Sequence, residues 1–272
     1  METGSSSDRE TLAHLLEANL WEAWSIFGRG PGCALHEDDD ALWFETPLPI
    51  IPYNGVLRFH GRSDVDRRIA EIADHFQRRN AEFMWVLHPT AVPHDLPGRL
   101  LAHGLKDVEP IAGMGRVLDD LPEIPLPPDG IEIRKVAGEE DAGAFYQFAA
   151  WRWHVPDEHL ATYNTIVRAY RFGQPGSNTH SWQAWRGGRP VSKAGLHLGE
   201  RSAGIYAVVT RPEARGLGLA SLLTLTSLHH ARSAGFRYAV LHSTPMAESL
   251  YRSLGFDTIA PFHVYASEGT AF

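Results

Sequence analysis

The stretch Gly204-Ile-Tyr-Ala-Val-Val-Thr-Arg-Pro-Glu-Ala-Arg-Gly-Leu-Gly-Leu-Ala220 holds the pattern that decides the fold. It predicts an apolar strand, a turn marked by Pro212, a glycine-containing loop that carries Arg215, and a leucine-rich helix. Such an arrangement presents unpaired backbone N–H groups and the positive end of a helix to an anion, most often a phosphate. We therefore expect the chain to bind a phosphorylated ligand.

The bulk composition limits the classes of protein to consider. The chain has 272 residues, 43% of them hydrophobic, which is enough for a buried core. Its formal net charge of −8 argues against a nucleic-acid-binding protein that relies on positive charge, and is weakly compatible with a cationic substrate. Cys33 is the only cysteine, so no disulfide is expected within one chain. The polar start and the short apolar runs predict a cytoplasmic protein without membrane contact.

A proline-rich segment divides the sequence into two halves. Residues 121–130, Leu-Pro-Glu-Ile-Pro-Leu-Pro-Pro-Asp-Gly, hold four prolines and one glycine, a composition that excludes a helix and a central strand. We therefore predict a flexible tail at 1–8, a first domain at 9–120, a linker at 121–130 and a second domain at 131–272.

Periodicity predicts a similar order of elements in both halves. In the second half we expect strands and helices over 131–136, 142–153, 158–172, 181–186, 190–198, 204–210, 217–233, 238–242, 247–254 and 257–265. In the first half we expect them over 10–24, 34–37, 41–45, 55–60, 65–79, 83–88, 95–103 and 108–117. Val86-Leu87-His88 ends a strand in one half, as Val240-Leu241-His242 does in the other. This predicts a duplicated fold, although such an order also recurs by chance among α/β proteins.

The two halves differ where a phosphate would bind. The first half has residues 58–66, Arg-Phe-His-Gly-Arg-Ser-Asp-Val-Asp, between the matching strand and helix. Its single glycine and its two aspartates at the helix start suit a helix cap, but the carboxylates would repel a phosphate. We therefore place the ligand chemistry in the second half.

Two motifs together resemble the GNAT superfamily of N-acetyltransferases. The chain has no G-x-x-x-x-G-K-[ST] loop, and Gly216-Leu-Gly218 lacks the third glycine of a dinucleotide fingerprint. What remains is Arg215-x-x-Gly218-x-Ala220 after a strand, followed by Ala247-Glu-Ser-Leu-Tyr-Arg-Ser-Leu-Gly-Phe256. The resemblance covers residues 131–266. It implies an α/β (α+β) protein with two tandem domains, the first degenerate, each a mixed and mostly antiparallel sheet flanked by helices.

The resemblance also implies an acetyl-CoA site. The pantetheine arm would pair with the backbone of Val208, Val209 and Thr210 as an added strand would, although this run also fits an ordinary core strand. Arg215 would hold the pyrophosphate, and the alternative for it is a surface salt bridge. The further candidates to contact CoA are the loop and helix-start residues Gly216, Leu217, Gly218, Leu219, Ala220 and Ser221, and two serines, Ser243 and Ser249, which also fit helix caps.

Tyr251 is the candidate general acid. When an amine attacks a thioester, the leaving thiolate needs a proton or a strong hydrogen bond, and a phenol can supply either. The matching position in the first half is Leu100. The alternative is an aromatic core residue on an amphipathic helix.

The general base stays open. Many GNAT members carry an acidic residue on the strand before the phosphate loop, where this chain has Ile205-Tyr206-Ala207. The substitutes considered are Tyr206 acting through water, and the side chains His242, Glu248 and His154. His88 repeats His242 in the half without ligand chemistry, which favours a structural role for both. The residues Trp151, Trp153, His154 and Pro156 are expected either to wall the acceptor pocket or to be core residues at a helix end.

These features predict an acetyl-CoA-dependent N-acetyltransferase that works by direct attack in a ternary complex. A small-molecule primary amine is the preferred acceptor, with a protein or peptide amine as the rival. A non-catalytic acyl-CoA sensor is the alternative outside enzymes. The fifteen histidines show no metal-binding spacing, so we expect no metal. We expect a monomer or a homodimer.

Overall fold

The computed structural model describes residues 6–267, which form two compact units. Unit 1 holds the chain up to Asn19, Gly113–Pro156 and Tyr170–Ile259. Unit 2 holds Leu20–Ala112, Asp157–Ala169 and the residues from Ala260 onward. Each unit thus takes most of its residues from one half of the sequence and shorter segments from the other. The contiguous division at 9–120, 121–130 and 131–272 stays a prediction.

Seven α-helices and eleven strands are described between residues 6 and 267. In chain order they are α1 (Ser6–Ser25), β1 (Ala34–Glu37), β2 (Ala41–Glu45), β3 (Gly55–Phe59), α2 (Val65–Arg78), β4 (Met84–Leu87), α3 (Leu96–Ala102), β5 (Lys106–Val117), β6 (Ile131–Lys135), α4 (Glu139–Arg152), α5 (Leu160–Val167), β7 (Thr179–Arg186), β8 (Arg189–Leu198), β9 (Ala203–Thr210), α6 (Leu219–Ser233), β10 (Tyr238–Ser243), α7 (Glu248–Ser253) and β11 (Asp257–Ala266).

Most predicted elements are confirmed to within a few residues, and two differ. The predicted helix over 158–172 is the shorter α5, flanked by 3₁₀ turns at Asp157–His159 and Arg168–Tyr170. The helix expected from Leu217 begins at Leu219, because Gly218 has a φ of +72°, outside the helical region. Residues 1–5 of the predicted tail lie outside the described residues. Its last three residues, 6–8, belong to α1, where Asp8 accepts a 2.8 Å hydrogen bond from Tyr238.

Unit 1 is built on strands in the order β5-β10-β9-β8-β7-β6. The pairs β6–β7, β7–β8 and β8–β9 are antiparallel, whereas β9 and β10 run parallel. Helix α6 connects β9 to β10 and packs on β7, β8 and β9. Its Leu222, Leu223 and Leu228 are buried against this sheet, which anchors the helix start at the end of β9.

Unit 2 has strands in the order β1-β2-β3-β4-β11. Here β3 and β4 run parallel and are connected by α2. Ile69, Ile72 and Phe76 of α2 pack with Trp85 of β4 in a buried hydrophobic cluster. Each unit therefore contains one parallel strand pair joined by a helix, and the predicted fold class is confirmed. Between residues 6 and 267, no helix has both the length and the apolar character needed to cross a membrane.

Candidate active site

The parallel pair β9–β10 separates part of the way along β9. The two strands are in register from Ala203–Ala239 to Ile205–Leu241, and the ladder ends there in the described structure. From Tyr206 to Thr210, β9 continues as a partner of β8. The side of β9 that faced β10 is thus left as a strand edge beyond Ile205, which is the kind of edge that an extended amide-containing ligand can pair with.

A β-bulge turns the strand at this point. Tyr206 faces Gly195 and Val209 faces Lys193, so two β9 residues, Ala207 and Val208, lie opposite a single β8 residue. Ala207 has a φ of +52° and is exposed. Val208, Val209 and Thr210, the residues expected to pair with the pantetheine arm, thus lie beyond the last registered β9–β10 pair.

The loop after β9 forms an open turn in front of α6. Arg215 is extended and exposed, and Gly216 and Gly218 have φ values of +78° and +72°. A Cβ atom at either glycine would meet no atom within 4 Å. The glycines are therefore required by backbone conformation, and the space above them lets an anion approach the backbone closely. Leu217 is exposed, Leu219 is buried, and Ala220 and Ser221 are partly buried.

No side chain caps the first turn of α6. A helix of 15 residues that begins behind two left-handed glycines presents its first N–H groups at this loop. Together with the Arg215 guanidinium, these donors suit a diphosphate, so the residues present fit the phosphate end of CoA.

Tyr251 lies on α7, directly after β10, with 7% of its surface exposed. Its ring meets Phe256 edge to face at 6.1 Å between centroids. Phe256 N–H donates back to the Tyr251 carbonyl at 3.1 Å across Gly255, whose φ is +80°. This hydrogen-bonded turn at the end of α7 explains why the helix is followed by the sequence Leu-Gly-Phe. Burial raises the pKa of Tyr251 to about 12, so the phenol stays protonated near neutral pH.

Two of the base candidates are poorly suited to the role. Burial lowers the pKa of His242 to about 3, so its imidazole is neutral at pH 7 and a weak base. Glu248 accepts hydrogen bonds from Arg252 at 2.6 Å and from Thr258 at 2.9 Å. These bonds, Arg252 first, lower the pKa of the Glu248 carboxyl, which is thus already engaged as a carboxylate on the α7 surface.

Tyr206 is held by a residue far away in sequence. Its hydroxyl donates to Oδ1 of Asn19 at 2.9 Å, and Nδ2 of Asn19 donates to the Ser202 carbonyl at 2.8 Å. A Cβ at Gly204 would lie 1.9 Å from the same Oδ1. The space beside Gly204 is thus filled by the amide of Asn19. No candidate is assigned as the general base.

The remaining candidates occupy varied positions. The Ser243 hydroxyl is buried and donates to the Thr244 carbonyl at 2.9 Å, whereas Ser249 is exposed. His154 is exposed with a φ of +49°. Trp151 is 39% exposed, and the Arg211 guanidinium lies 4.2 Å from its ring centroid. This contact joins the end of α4 to the start of the loop between β9 and α6.

Sequence reasoning missed two residues of this region, Asn19 and Lys193. Lys193 of β8 pairs with Val209, is 1% exposed, and holds Nζ 4.2 Å from the ring centroid of Phe145. Burial, and then the nearby Arg152, lower its pKa to about 7. A lysine within an apolar strand was the available signal for Lys193. No cluster of three or more His, Cys, Asp or Glu side chains suited to a metal ion occurs in the part of the chain that the structure describes.

Comparison with known proteins identifies this arrangement. Residues 144–256 match the sequence model of the Acetyltransferase (GNAT) family. A mycothiol acetyltransferase of Mycolicibacterium smegmatis is 30% identical over 241 residues, which cover 78% of this chain and 80% of that protein. The chain belongs to the GNAT family of acetyltransferases. A mycothiol acetyltransferase of Nocardia farcinica is 32% identical over 185 residues, but this match covers 61% of the chain and only 58% of that relative.

Solved structures of GNAT proteins share the fold. A GCN5-related N-acetyltransferase from Kribbella flavida aligns with a TM-score of 0.66 at 18% identity, over 92% of this chain and 96% of its own. A tandem GNAT protein from the clavulanic acid biosynthesis pathway aligns with a TM-score of 0.62 at 13% identity, over 98% of each chain. These structures show the tandem GNAT fold, and the relatives show an N-acetyltransferase.

In unit 2 of this GNAT protein, the corresponding strand opening is closed by the chain itself. The parallel pair β3–β4 has two registered positions, Gly55–Met84 and Val56–Trp85. Beyond them the Phe59 N–H donates to Nε2 of His88 at 3.2 Å, and the Phe59 carbonyl accepts from Val92 at 3.2 Å.

The rest of that strand and the helix behind it are equally unsuited to CoA. Nε1 of Trp21 donates to the Leu57 carbonyl at 2.8 Å. Asp64 and Asp66 begin α2, where they bond with Arg67 and Arg99. The strand edge of unit 2 is thus occupied by contacts within the chain. No side chain caps the start of α2, so the helix cap expected from the sequence is not formed, but two carboxylates lie there. Both features are consistent with ligand chemistry confined to unit 1.

Proposed function

We propose that this protein transfers an acetyl group from acetyl-CoA to the primary amine of a small molecule, by direct attack in a ternary complex. The observation that carries the proposal is the separation of β9 from β10 after Ile205–Leu241, next to a glycine loop that opens α6. The strand edge suits the amides of pantetheine and the loop suits a diphosphate. The chain thus offers partners for both the pantetheine arm and the diphosphate of CoA. The strand edge and the loop follow each other as these two parts do in CoA.

The chemistry at the reacting atoms follows from Tyr251. Acetyl-CoA supplies a thioester carbonyl carbon. The amine nitrogen bonds to that carbon and passes one proton to solvent, while the C–S bond breaks and its electron pair leaves on sulfur. The pKa of Tyr251 is about 12 and that of a thiol is about 8.5, so full proton transfer from the phenol to the thiolate is unfavourable by about 3.5 pKa units. Tyr251 therefore stabilises the thiolate chiefly as a hydrogen-bond donor, and solvent completes the protonation.

Two findings support a small-molecule acceptor. Relatives at about 30% identity are named for mycothiol, a small molecule. The cation–π contacts of Arg211 with Phe148 and Trp151, at 4.9 and 4.2 Å, hold α4 over the start of the phosphate loop. A helix fixed at this position suits a small amine better than an extended peptide.

The test is release of free thiol from acetyl-CoA across a panel of amines, with the product mass measured. The panel holds low-mass primary amines and a lysine-containing peptide. We expect turnover with low-mass amines and a product heavier by one acetyl group. Turnover with the peptide alone would replace the small-molecule acceptor by a protein amine. CoA binding without turnover on any amine would indicate an acyl-CoA sensor, and absence of CoA binding would overturn the proposal.

A further inference from the structure

Asn19 and Tyr206 of unit 1 form a hydrogen-bonded pair beside the strand opening. Tyr206 is the first β9 residue beyond the end of the β10 ladder, and its side chain is partly exposed. Residues two apart on a strand share a face, so Tyr206 and Gly204 lie on the same side of β9. On this side, the Tyr206 phenol and Gly204 therefore form the wall of the opening between β9 and β10. The Asn19 amide fills the space beside Gly204.

The hydrogen bonds fix the direction of the Tyr206 hydroxyl. Nδ2 of Asn19 donates to the Ser202 carbonyl at 2.8 Å, which sets the orientation of the amide. Its Oδ1 therefore faces Tyr206 at 2.9 Å, and a carbonyl oxygen cannot donate. The single proton of the phenol is thus committed to Asn19, and every other hydrogen bond of that oxygen is one that it accepts.

We infer that Tyr206 binds the amine of the acceptor by accepting a hydrogen bond from its N–H, and that Asn19 is the positioning residue that holds Tyr206 in this state. This inference rests on the proposed function. A phenol oxygen that accepts from one N–H leaves the nitrogen lone pair to point at the thioester carbon. Tyr206 thereby orients the nucleophile but does not deprotonate it, since a neutral phenol is a very weak base.

Gly204 is part of the same arrangement. A side chain at this position would collide with Asn19 Oδ1 at 1.9 Å and with the Tyr206 ring at 2.4 Å. The glycine therefore makes room for an amide that comes from α1, 187 residues away from the tyrosine that it orients. The acceptor-binding wall of unit 1 is completed by the N-terminal helix.

The experiment compares steady-state kinetics of the full chain and its Tyr206→Phe and Asn19→Leu variants, with one accepted amine. We expect Tyr206→Phe to raise KM for the amine about tenfold while Kd for acetyl-CoA changes less than twofold. Asn19→Leu should do the same. The double variant should be no worse than Tyr206→Phe, because both changes act through one hydroxyl.

Tyr238→Phe is the matched control. Tyr238 is also a strand tyrosine that donates to an α1 side chain, Asp8, at 2.8 Å, but it lies at the start of β10. We expect its KM for the amine to stay at the wild-type value. If Asn19→Leu does not fold, Tyr206→Phe against Tyr238→Phe still decides the question.

The outcomes separate the two proposals. An active wild type whose KM for the amine is unchanged in Tyr206→Phe overturns this inference alone. An equal rise in KM for Tyr206→Phe and Tyr238→Phe also overturns it, because it shows a general structural effect. A wild type that acetylates no amine overturns the proposed function and this inference with it.

Discussion

Nε2 of His88 accepts a hydrogen bond from the backbone N–H of Phe59 at 3.2 Å, across the end of the parallel pair β3–β4 in unit 2. Because Nε2 accepts, the neutral ring carries its proton on Nδ1, which lies 3.1 Å from Oγ1 of Thr90. Trp21 packs edge to face on the same ring at 5.4 Å. This imidazole lies where the corresponding strands of unit 1 are open.

Replacing His88 by Ala should destabilise the fold without affecting the ligand. The Phe59 N–H would lose its partner in a buried setting, which costs about 1–3 kcal/mol of unfolding free energy. Chemical denaturation measures the change, and Kd for CoA should stay within twofold of wild type. His94→Ala, at an exposed histidine six residues on, is the control. A wild-type unfolding midpoint in His88→Ala would contradict the structural role.

Arg215→Ala should weaken CoA binding roughly tenfold or more, since a hydrogen bond to a charged group contributes about 1.5–3 kcal/mol. Isothermal titration measures this, with Arg201→Ala as an exposed control. S-acetylpantetheine, which lacks the pyrophosphate, sharpens the test. Its KM should be equal in wild type and Arg215→Ala. If Arg215→Ala raised KM equally for acetyl-CoA and for S-acetylpantetheine, Arg215 would not act at the phosphates.

Tyr251→Phe should lower kcat at least tenfold with little loss of CoA affinity, because the hydrogen bond to the thiolate forms only as the C–S bond breaks. The pKa of Tyr251 is about 12, and the protonated phenol is the active form. Its ionisation should therefore cause no fall in kcat below about pH 11. Near wild-type turnover in Tyr251→Phe would contradict this role.

Gly204→Ala should destabilise unit 1, because the added methyl group would overlap Asn19 and the Tyr206 ring. Overpacking of this kind costs about 1–3 kcal/mol. Asn19→Gly should relieve part of the cost, so the double variant should be more stable than the sum of the single changes predicts. Additive losses measured by thermal unfolding would show that the two positions do not compete for one space.

Lys193→Met should stabilise the protein most at neutral and lower pH. The pKa of Lys193 falls from 10.5 to about 7 on folding, so between these values the unfolded state binds more protons than the folded state. Wild-type stability therefore rises from pH 7 to 10.5, at about 1.4 kcal/mol per pH unit for one proton. The advantage of Lys193→Met over wild type should shrink across this window. A constant difference would show that the buried amine titrates normally.

Much of the site could be predicted because its signals are local. The proline and glycines around Arg215 mark the loop, and the leucines that follow mark α6 by their period. The role of Asn19 could not be predicted, because it depends on a contact that spans 187 residues. The sequence also could not predict that Trp21 and His88 bond to the strand edge of β3 in unit 2, because each residue alone fits an ordinary core position. The interleaving of the two units in sequence likewise leaves no local trace.

Hydrogen–deuterium exchange with and without CoA tests most directly the claim that the cofactor site is the strand opening of unit 1. Bound CoA should slow exchange at the backbone amides of 206–210 and 215–221, and should leave those of 57–61 in unit 2 unchanged. Arg215→Ala, at the same CoA concentration, should reduce the protection. Protection of 57–61 without protection of 206–221 would contradict the account.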